Sequence, residues 1–391
     1  MTAITAKAKA LAIAAAIVVL GVSAVRVSDA RAGDPVKVGV LLSLSGATAP
    51  FGIPERDVVK ILAEKYNAAG GINGHKLDLI YFDDQSNPTE AARGAVKLIR
   101  EDHVQVIIGA ATGSGTLAMM PILAQAKIPA LAPVGTQSVT SHEHPFFPWV
   151  FRTSSASAVT IQALVQKAIF KRDRKRVAIM YQEDAYGKDE SEIAQKLIKE
   201  HGGIDVVAVA SAPITAIDLS AAATRIRNTD PDIVLLLTSA PSLGGAFARA
   251  AQQANLKAPI IGSLSLNQRP FVDAAGPAGE GIMSVSLGNW DQPSKKQAEL
   301  GDLLRAHGKQ PAGYAELIGS TTIIALAEAL RHIDGPVTGQ KIRDALENIC
   351  GFTGTYVDGP LCYSKEQHDA FGPDTVNVVK IHDGKWENTN F

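Results

Sequence analysis

From Val36 almost to residue 381, short runs of aliphatic and β-branched residues alternate with segments whose apolar positions recur every three or four residues. VKVGVLLSL (36–44) predicts a strand buried on both faces, and IPERDVVKILAEKYNAAGG (53–71) a helix that ends in glycines. KLDLIYFDD (76–84) and VQVIIG (104–109) predict further strands, with a helix over 87–101 that has Pro88 in its first turn. A small-residue turn, GAATGSGT (109–116), then leads into LAMMPILAQA, a helical pattern in which Pro121 predicts a kink. IPALAP (128–133) ends this first series. After FPWVFRTSSAS (147–157), read as a connecting loop, the rhythm restarts with strands at 176–182, 204–210, 232–237 and 259–262. Helices are predicted between them over 186–201, 218–229 and 242–255. Such alternation predicts an α/β fold with parallel sheets covered by helices on both faces, and two series predict two similar lobes. The tail is mostly helical over 295–348, and VNVVKI (376–381) reads as the last strand.

Composition narrows the class. The chain has 391 residues and a formal net charge of −1, with no block of lysine or arginine to suggest nucleic acid or an anionic membrane surface. Residues 1–32 carry Lys7 and Lys9, an apolar run from Ala10 to Val25, and Ala30-Arg31-Ala32. That layout predicts a secretory signal peptide, leaving an exported, periplasmic protein from about Gly33. A retained membrane anchor is the alternative, but the apolar run is shorter than the roughly 18 residues of a spanning helix. The remaining length predicts two domains. Cys350 and Cys362 are the only cysteines; in an oxidising compartment they predict a local disulfide, with two free thiols as the alternative. Their spacing, with no Cys or His pair nearby, makes a poor zinc site.

In open α/β sheets, ligands bind beyond the carboxyl ends of the strands. The segments so placed are LSLSGATAPFG (42–52), GAATGSGT, APVGT (132–136), QEDAYG (182–187), LTSAPS (237–242) and GSLSLN (262–267). Strong catalytic groups are scarce among them. The dinucleotide fingerprint GxGxxG is absent from SLSGATAPFG, and GGINGHK (70–76) lacks the spacing of a phosphate loop. Ser114 sits where a nucleophile elbow would place its serine, but Thr112 breaks the GxSxG pattern and no histidine offers itself as a base. His142 and His144 are at most a lone pair for a metal. No cofactor is implied, and the chain reads as a binding protein, not an enzyme. The GAATGSGT turn can supply backbone amides at a helix N-terminus, with hydroxyls of Thr112, Ser114 and Thr116, which suits a carboxylate. Ser114 could equally be an N-cap.

Taken together, VKVGVLLSLSG, NAAGGINGHKLDLIYFDDQSNPTEAARGAVKLI, VIIGAATGSGTLAMMPILAQAKIPALAP, the YQEDAYG turn and DGKW (383–386) resemble the periplasmic leucine/isoleucine/valine-binding proteins, receptors of branched-chain amino acid ABC importers. The resemblance covers nearly the whole chain after residue 32. It implies a type I periplasmic binding protein fold: two Rossmann-like lobes joined by three crossovers near 152–157, 286–290 and 374–378. The lobes would be 33–154 with 288–375, and 155–287 with 376–391. It also implies permease and ATPase subunits as membrane partners, and a ligand held by Phe51, Thr112, Gly113, Ser114, Val134, Thr136, Ser157, Tyr186, Ser239 and Leu264. Two of these positions depart from the pattern. Ser239 stands where relatives place a tyrosine, and Leu264 where they place the acid that pairs the ligand's ammonium. No Asp or Glu occurs in 257–272. A buried ammonium without a carboxylate costs about 3–5 kcal/mol, although Glu183 or Asp184 could substitute. The expectation is therefore a carboxylate without an α-amino group, either aromatic or short-chain aliphatic. FGIPERD and YSKEQHDAFG (363–372) resemble the aromatic-acid subset of the family. A branched-chain amino acid is the alternative ligand, and a sensory receptor of the same fold the alternative role.

Overall fold

The computed structural model describes residues 33–389, so the predicted leader lies outside the described residues. The first series of elements is β1 (Val36–Leu42), α1 (Ala49–Ala68), β2 (Leu77–Asp83), α2 (Pro88–Arg100), β3 (Val106–Gly109), α3 (Gly113–Ala126), β4 (Ala130–Ala132) and β5 (Val150–Ser155). The second is α4 (Ser157–Ala168), β6 (Arg176–Gln182), α5 (Ala185–His201), β7 (Asp205–Ala212), α6 (Ser220–Arg227), β8 (Ile233–Leu237), α7 (Pro241–Gln253), β9 (Ile260–Gly262), α8 (Arg269–Ala275) and β10 (Met283–Ser286). The tail supplies α9 (Lys295–Ala306), α10 (Tyr314–Arg331), α11 (Gly339–Leu346), β11 (Asp369–Phe371), β12 (Asn377–His382) and β13 (Lys385–Asn388).

These strands form two sheets. The first has the order β11-β5-β4-β3-β1-β2, and every pairing is parallel. The second has the order β13-β12-β10-β9-β8-β6-β7, parallel except where β12 pairs antiparallel with β10 and β13. Val38 of β1 faces Leu79 on one side and Val106 on the other, so the strand is central. That position is why its sequence is nearly continuous in apolar residues instead of alternating. β8 is buried along its whole length for the same reason. The chain passes between the sheets three times: after β5, after β10, and between β11 and β12.

Four strands escape the apolar-run criterion. β5 carries Thr153, Ser154 and Ser155, yet all three are buried, so its polar residues disguised it as a loop. β10, with two serines, is disguised in the same way, and β11 is only three residues long. β13 follows β12, so VNVVKI is not the last strand. α3 runs through Pro121 as a single helix. Among the described residues, no helix is long and apolar enough to cross a membrane.

Cys350 and Cys362 are disulfide-bonded, closing the loop whose neck is the Phe352–Leu361 bridge. A cross-link over so short a loop limits the unfolded chain by about 3 kcal/mol. Replacing both cysteines by serine should lower the unfolding free energy by that order in denaturant titrations, with ligand affinity retained. A loss below ~0.5 kcal/mol would show that the hydrogen bonds of this loop suffice on their own.

Candidate ligand-binding site

The two sheets present their strand ends to a common cleft. On the first side, β3 delivers the chain into α3. Thr112 is the N-cap of α3, its Oγ1 accepting from the Gly115 N–H at 3.1 Å, while its carbonyl receives the Thr116 hydroxyl at 3.0 Å. The cap is therefore Thr112 and not Ser114. The N–H groups of Gly113 and Ser114 remain as first-turn donors at the positive end of the helix. Ser114 reaches across the cleft instead, its Oγ accepting from the Ala185 N–H of α5 at 3.4 Å.

The loop after β4 supplies the next wall. Thr136 is fully buried, and its Oγ1 has no hydrogen-bond partner. It lies so near Gly113 that a Cβ there would sit 1.8 Å from it. Gly135 gives its carbonyl to the Ser157 N–H at 2.7 Å and passes so close to Tyr186 that a Cβ would meet the ring at 2.9 Å. Ser157, the first residue of α4, is buried with an unpartnered hydroxyl facing Gly135. The fully buried Arg152 holds this loop from behind: its guanidinium donates to the Val134 carbonyl (3.0 Å), to Thr140 Oγ1 (2.6 Å) and to Asp369 Oδ1 (2.7 Å). Asp369 thereby ties β11 to the loop. Burial works against its charge, but the Arg152 cation and hydrogen bonds outweigh that and hold the carboxyl below its usual range.

The second side comes from the loops after β6, β8 and β9. Asp184 caps α5, its Oδ1 accepting from the Gly187 N–H at 3.0 Å and its Oδ2 from the Gln182 amide at 2.7 Å. Gln182 organises this wall: it also donates to Ser239 Oγ (2.9 Å), and its Oε1 accepts from Thr238 Oγ1 and the Ser239 N–H, each at 2.7 Å. At the floor, Ser265 Oγ donates to the Tyr186 hydroxyl at 2.8 Å and lies 3.2 Å from the Tyr314 hydroxyl of α10. Phe51 packs edge-on against Tyr314, with centroids 5.5 Å apart.

The walls of the resulting cavity include Thr112, Gly113, Val134, Thr136, Tyr186 and Ser239 from the expected set. Ser114 and Ser157 touch wall residues, and Phe51 stands behind Tyr314. Leu264 is buried beside the cavity, and its neighbour Ser265 forms the wall. Asp184, considered above only as a substitute acid, joins the lining, and so does Tyr314, which was not singled out. Tyr314 comes from a helix far along the chain, which no local motif could signal. The enclosed space is ≈ 20 Å³, so a ring or a branched side chain can enter only if the two sheets part. Two wider grooves, of ≈ 480 and ≈ 550 Å³, lie outside the cleft. Their linings carry charged side chains, Lys341 and Asp344 in one, Arg56, Asp57 and Lys60 in the other.

The fold has counterparts among known proteins. The chain is 25% identical over 348 residues to the Leu/Ile/Val/Thr-binding protein of Salmonella typhimurium, covering 88% of this chain and 92% of that one. A solute-binding protein of an ABC transporter from R. palustris, solved in complex with benzoate, superposes with a TM-score of 0.80 at 24% identity, covering 90% of this chain and 95% of that one. A leucine-binding protein from Thermotoga maritima superposes with a TM-score of 0.79 at 21% identity, covering 90% and 97%. The family model described as periplasmic binding protein matches residues 35–385. With every strand but β13, all three crossovers and the cleft inside that match, this chain belongs to the periplasmic binding protein family.

Proposed function

We propose that the chain is an exported receptor of an ABC importer that binds a small carboxylate without an α-amino group, aromatic or short-chain aliphatic. The ligand lies between lobes formed by 33–154 with 288–375 and 155–287 with 376–391, and delivery is to membrane permease and ATPase subunits. The observation that carries this reading is the chemistry around the start of α3. Two first-turn amides and the unpartnered hydroxyls of Thr136 and Ser157 offer donors to an anion. The opposite wall offers no free acid to an ammonium. Asp184 reaches the cavity, but Gly187 and Gln182 already occupy its oxygens. Closure is a hinge motion, favoured by the ligand only through contacts made in the closed state.

Asp184 also carries the second reading, a branched-chain amino acid as in the Salmonella relative, should its carboxylate exchange Gln182 for a ligand ammonium. A thermal-shift screen separates the two. A ligand present at a hundred times its Kd adds about 2.7 kcal/mol to stability, a readily measured shift. Benzoate or a short aliphatic acid should stabilise the protein and leucine should not; stabilisation by leucine and valine alone overturns the first reading.

A further inference from the structure

Glu190 stands one helical turn beyond Tyr186, on the face of α5 that also buries Ala194 and Ile198. It is 0% exposed, no cation or backbone amide meets its carboxyl oxygens, and the hydroxyls of Tyr186 and Ser263 are the polar groups beside them. Tyr186, which it underlies, is a wall of the cavity, and the Tyr186 hydroxyl joins Ser265 and Tyr314 in a continuous hydroxyl chain across the cleft floor. We propose that Glu190 is the residue that sorts anionic from zwitterionic ligands in this cleft, through the proton it carries. The proposal rests on the reading that the ligand is a small carboxylate.

The groups facing Glu190 all leave it without a counter-ion. Asp184, Tyr186 and Asp189 come from α5 itself, Ser263 from the loop after β9, and Tyr314 from α10, with Glu55 of α1 behind Tyr314. α3, packed on α5, has no charged residue, and Lys167 of α4 donates its ammonium to the Val376 carbonyl. Burial pushes the Glu190 carboxyl up to about 8; the Tyr186 and Ser263 hydroxyls oppose this, and the charges of Asp184 and Asp189 add to it. At neutral pH the cleft floor is therefore uncharged, and a carboxylate at the start of α3 meets no opposing charge from it. Loss of the proton puts a second negative charge into the same low-dielectric interior. Anion affinity then falls, whereas a ligand bearing an ammonium gains a partner. Reciprocally, an anion arriving near pH 8 makes Glu190 take up a proton, and a zwitterion makes it release one.

The test is calorimetric titration of the whole protein with benzoate and with leucine, from pH 6.5 to 9, in buffers of differing ionisation enthalpy. Benzoate affinity should fall about tenfold per pH unit above 8, with proton uptake on binding. In Glu190→Gln that profile should be flat. This variant separates Glu190 from Glu316, which burial also raises, to about 7, against hydrogen bonds from the Ala312 and Gly313 amides. Benzoate binding that is insensitive to pH and exchanges no proton overturns the proposal while leaving the carboxylate reading intact. Binding of leucine alone defeats the carboxylate reading. Glu190 then keeps its role only if leucine affinity rises with pH and a proton is released. As a check that needs no ligand, carbon-13 NMR of labelled glutamates should show a carboxyl with a midpoint near 8 that disappears in Glu190→Gln, whereas those of the other raised glutamates, Glu55 and Glu316, remain; its absence overturns the proposal.

Discussion

Arg152→Met should lower the unfolding free energy by about 3–5 kcal/mol, the usual consequence of breaking a buried ion pair and stranding one partner. Arg152 Nε lies 2.7 Å from Asp369 Oδ1, with Thr140 accepting from the same guanidinium and also donating to that carboxylate. Removing the cation leaves Asp369 charged against a nearly closed interior and frees the Val134 carbonyl. Denaturant unfolding monitored by circular dichroism reads the loss directly. Arg152→Met/Asp369→Leu should recover part of it, because two apolar groups leave no orphaned charge. The pair also sets a pH dependence. Asp369 has a lowered pKa in the folded protein, so its contribution is present above the ordinary carboxylate range and disappears as pH falls through its depressed value. The stability difference between wild type and Asp369→Asn should therefore shrink in acid. A loss under ~1 kcal/mol for Arg152→Met would mean that the backbone alone holds this loop.

The second large effect is on binding. Gly113→Ala places a methyl group 1.8 Å from Thr136 Oγ1 and 2.5 Å from its Cβ, so Thr136 must move or the helix must retreat. Overpacking of this kind costs about 1–3 kcal/mol in a rigid site. The displaced Thr136 hydroxyl is one of the donors proposed for the ligand, so the two losses combine. Affinity for benzoate should fall roughly 100-fold, which corresponds to about 2.7 kcal/mol, with the far-ultraviolet spectrum unchanged. An affinity within threefold of wild type would move the ligand away from the start of α3.

How much of this was legible beforehand depends on whether a residue's role is local. The GAATGSGT turn could be read because a strand, a small-residue turn and a helix are contiguous. Asp83 and Asp84 were visible as the end of a strand, and their use is structural. Asp83 accepts from the Leu44 N–H and the Ser45 hydroxyl, and Asp84 from the Ser43 hydroxyl, so they shape the loop after β1. Arg152 was hidden because a cation among serines and threonines reads as loop, when burial against a carboxylate more than two hundred residues away is what defines it. Glu190 lies in KDESEIAQK, which reads as an ordinary solvated helix. The available signal was its spacing, four residues from both Tyr186 and Ala194, which put a carboxyl on the buried stripe. At position 264 the absence of an acid was visible, and Glu183 and Asp184 were weighed as substitutes, but Glu190, one turn beyond Tyr186 on α5, was not.

The order of the strands has a consequence for how the protein is made. β11 completes the first sheet, and β12 and β13 complete the second, yet all three are drawn from residues 369–388. Until those residues emerge, β5 and β10 are open edges, ready to pair with whatever strand they meet. Neither sheet is therefore complete before residues 369–388 have been made. A copy that lacks this segment offers two open edges to its neighbours, so the same short stretch guards both sheets against pairing with another chain.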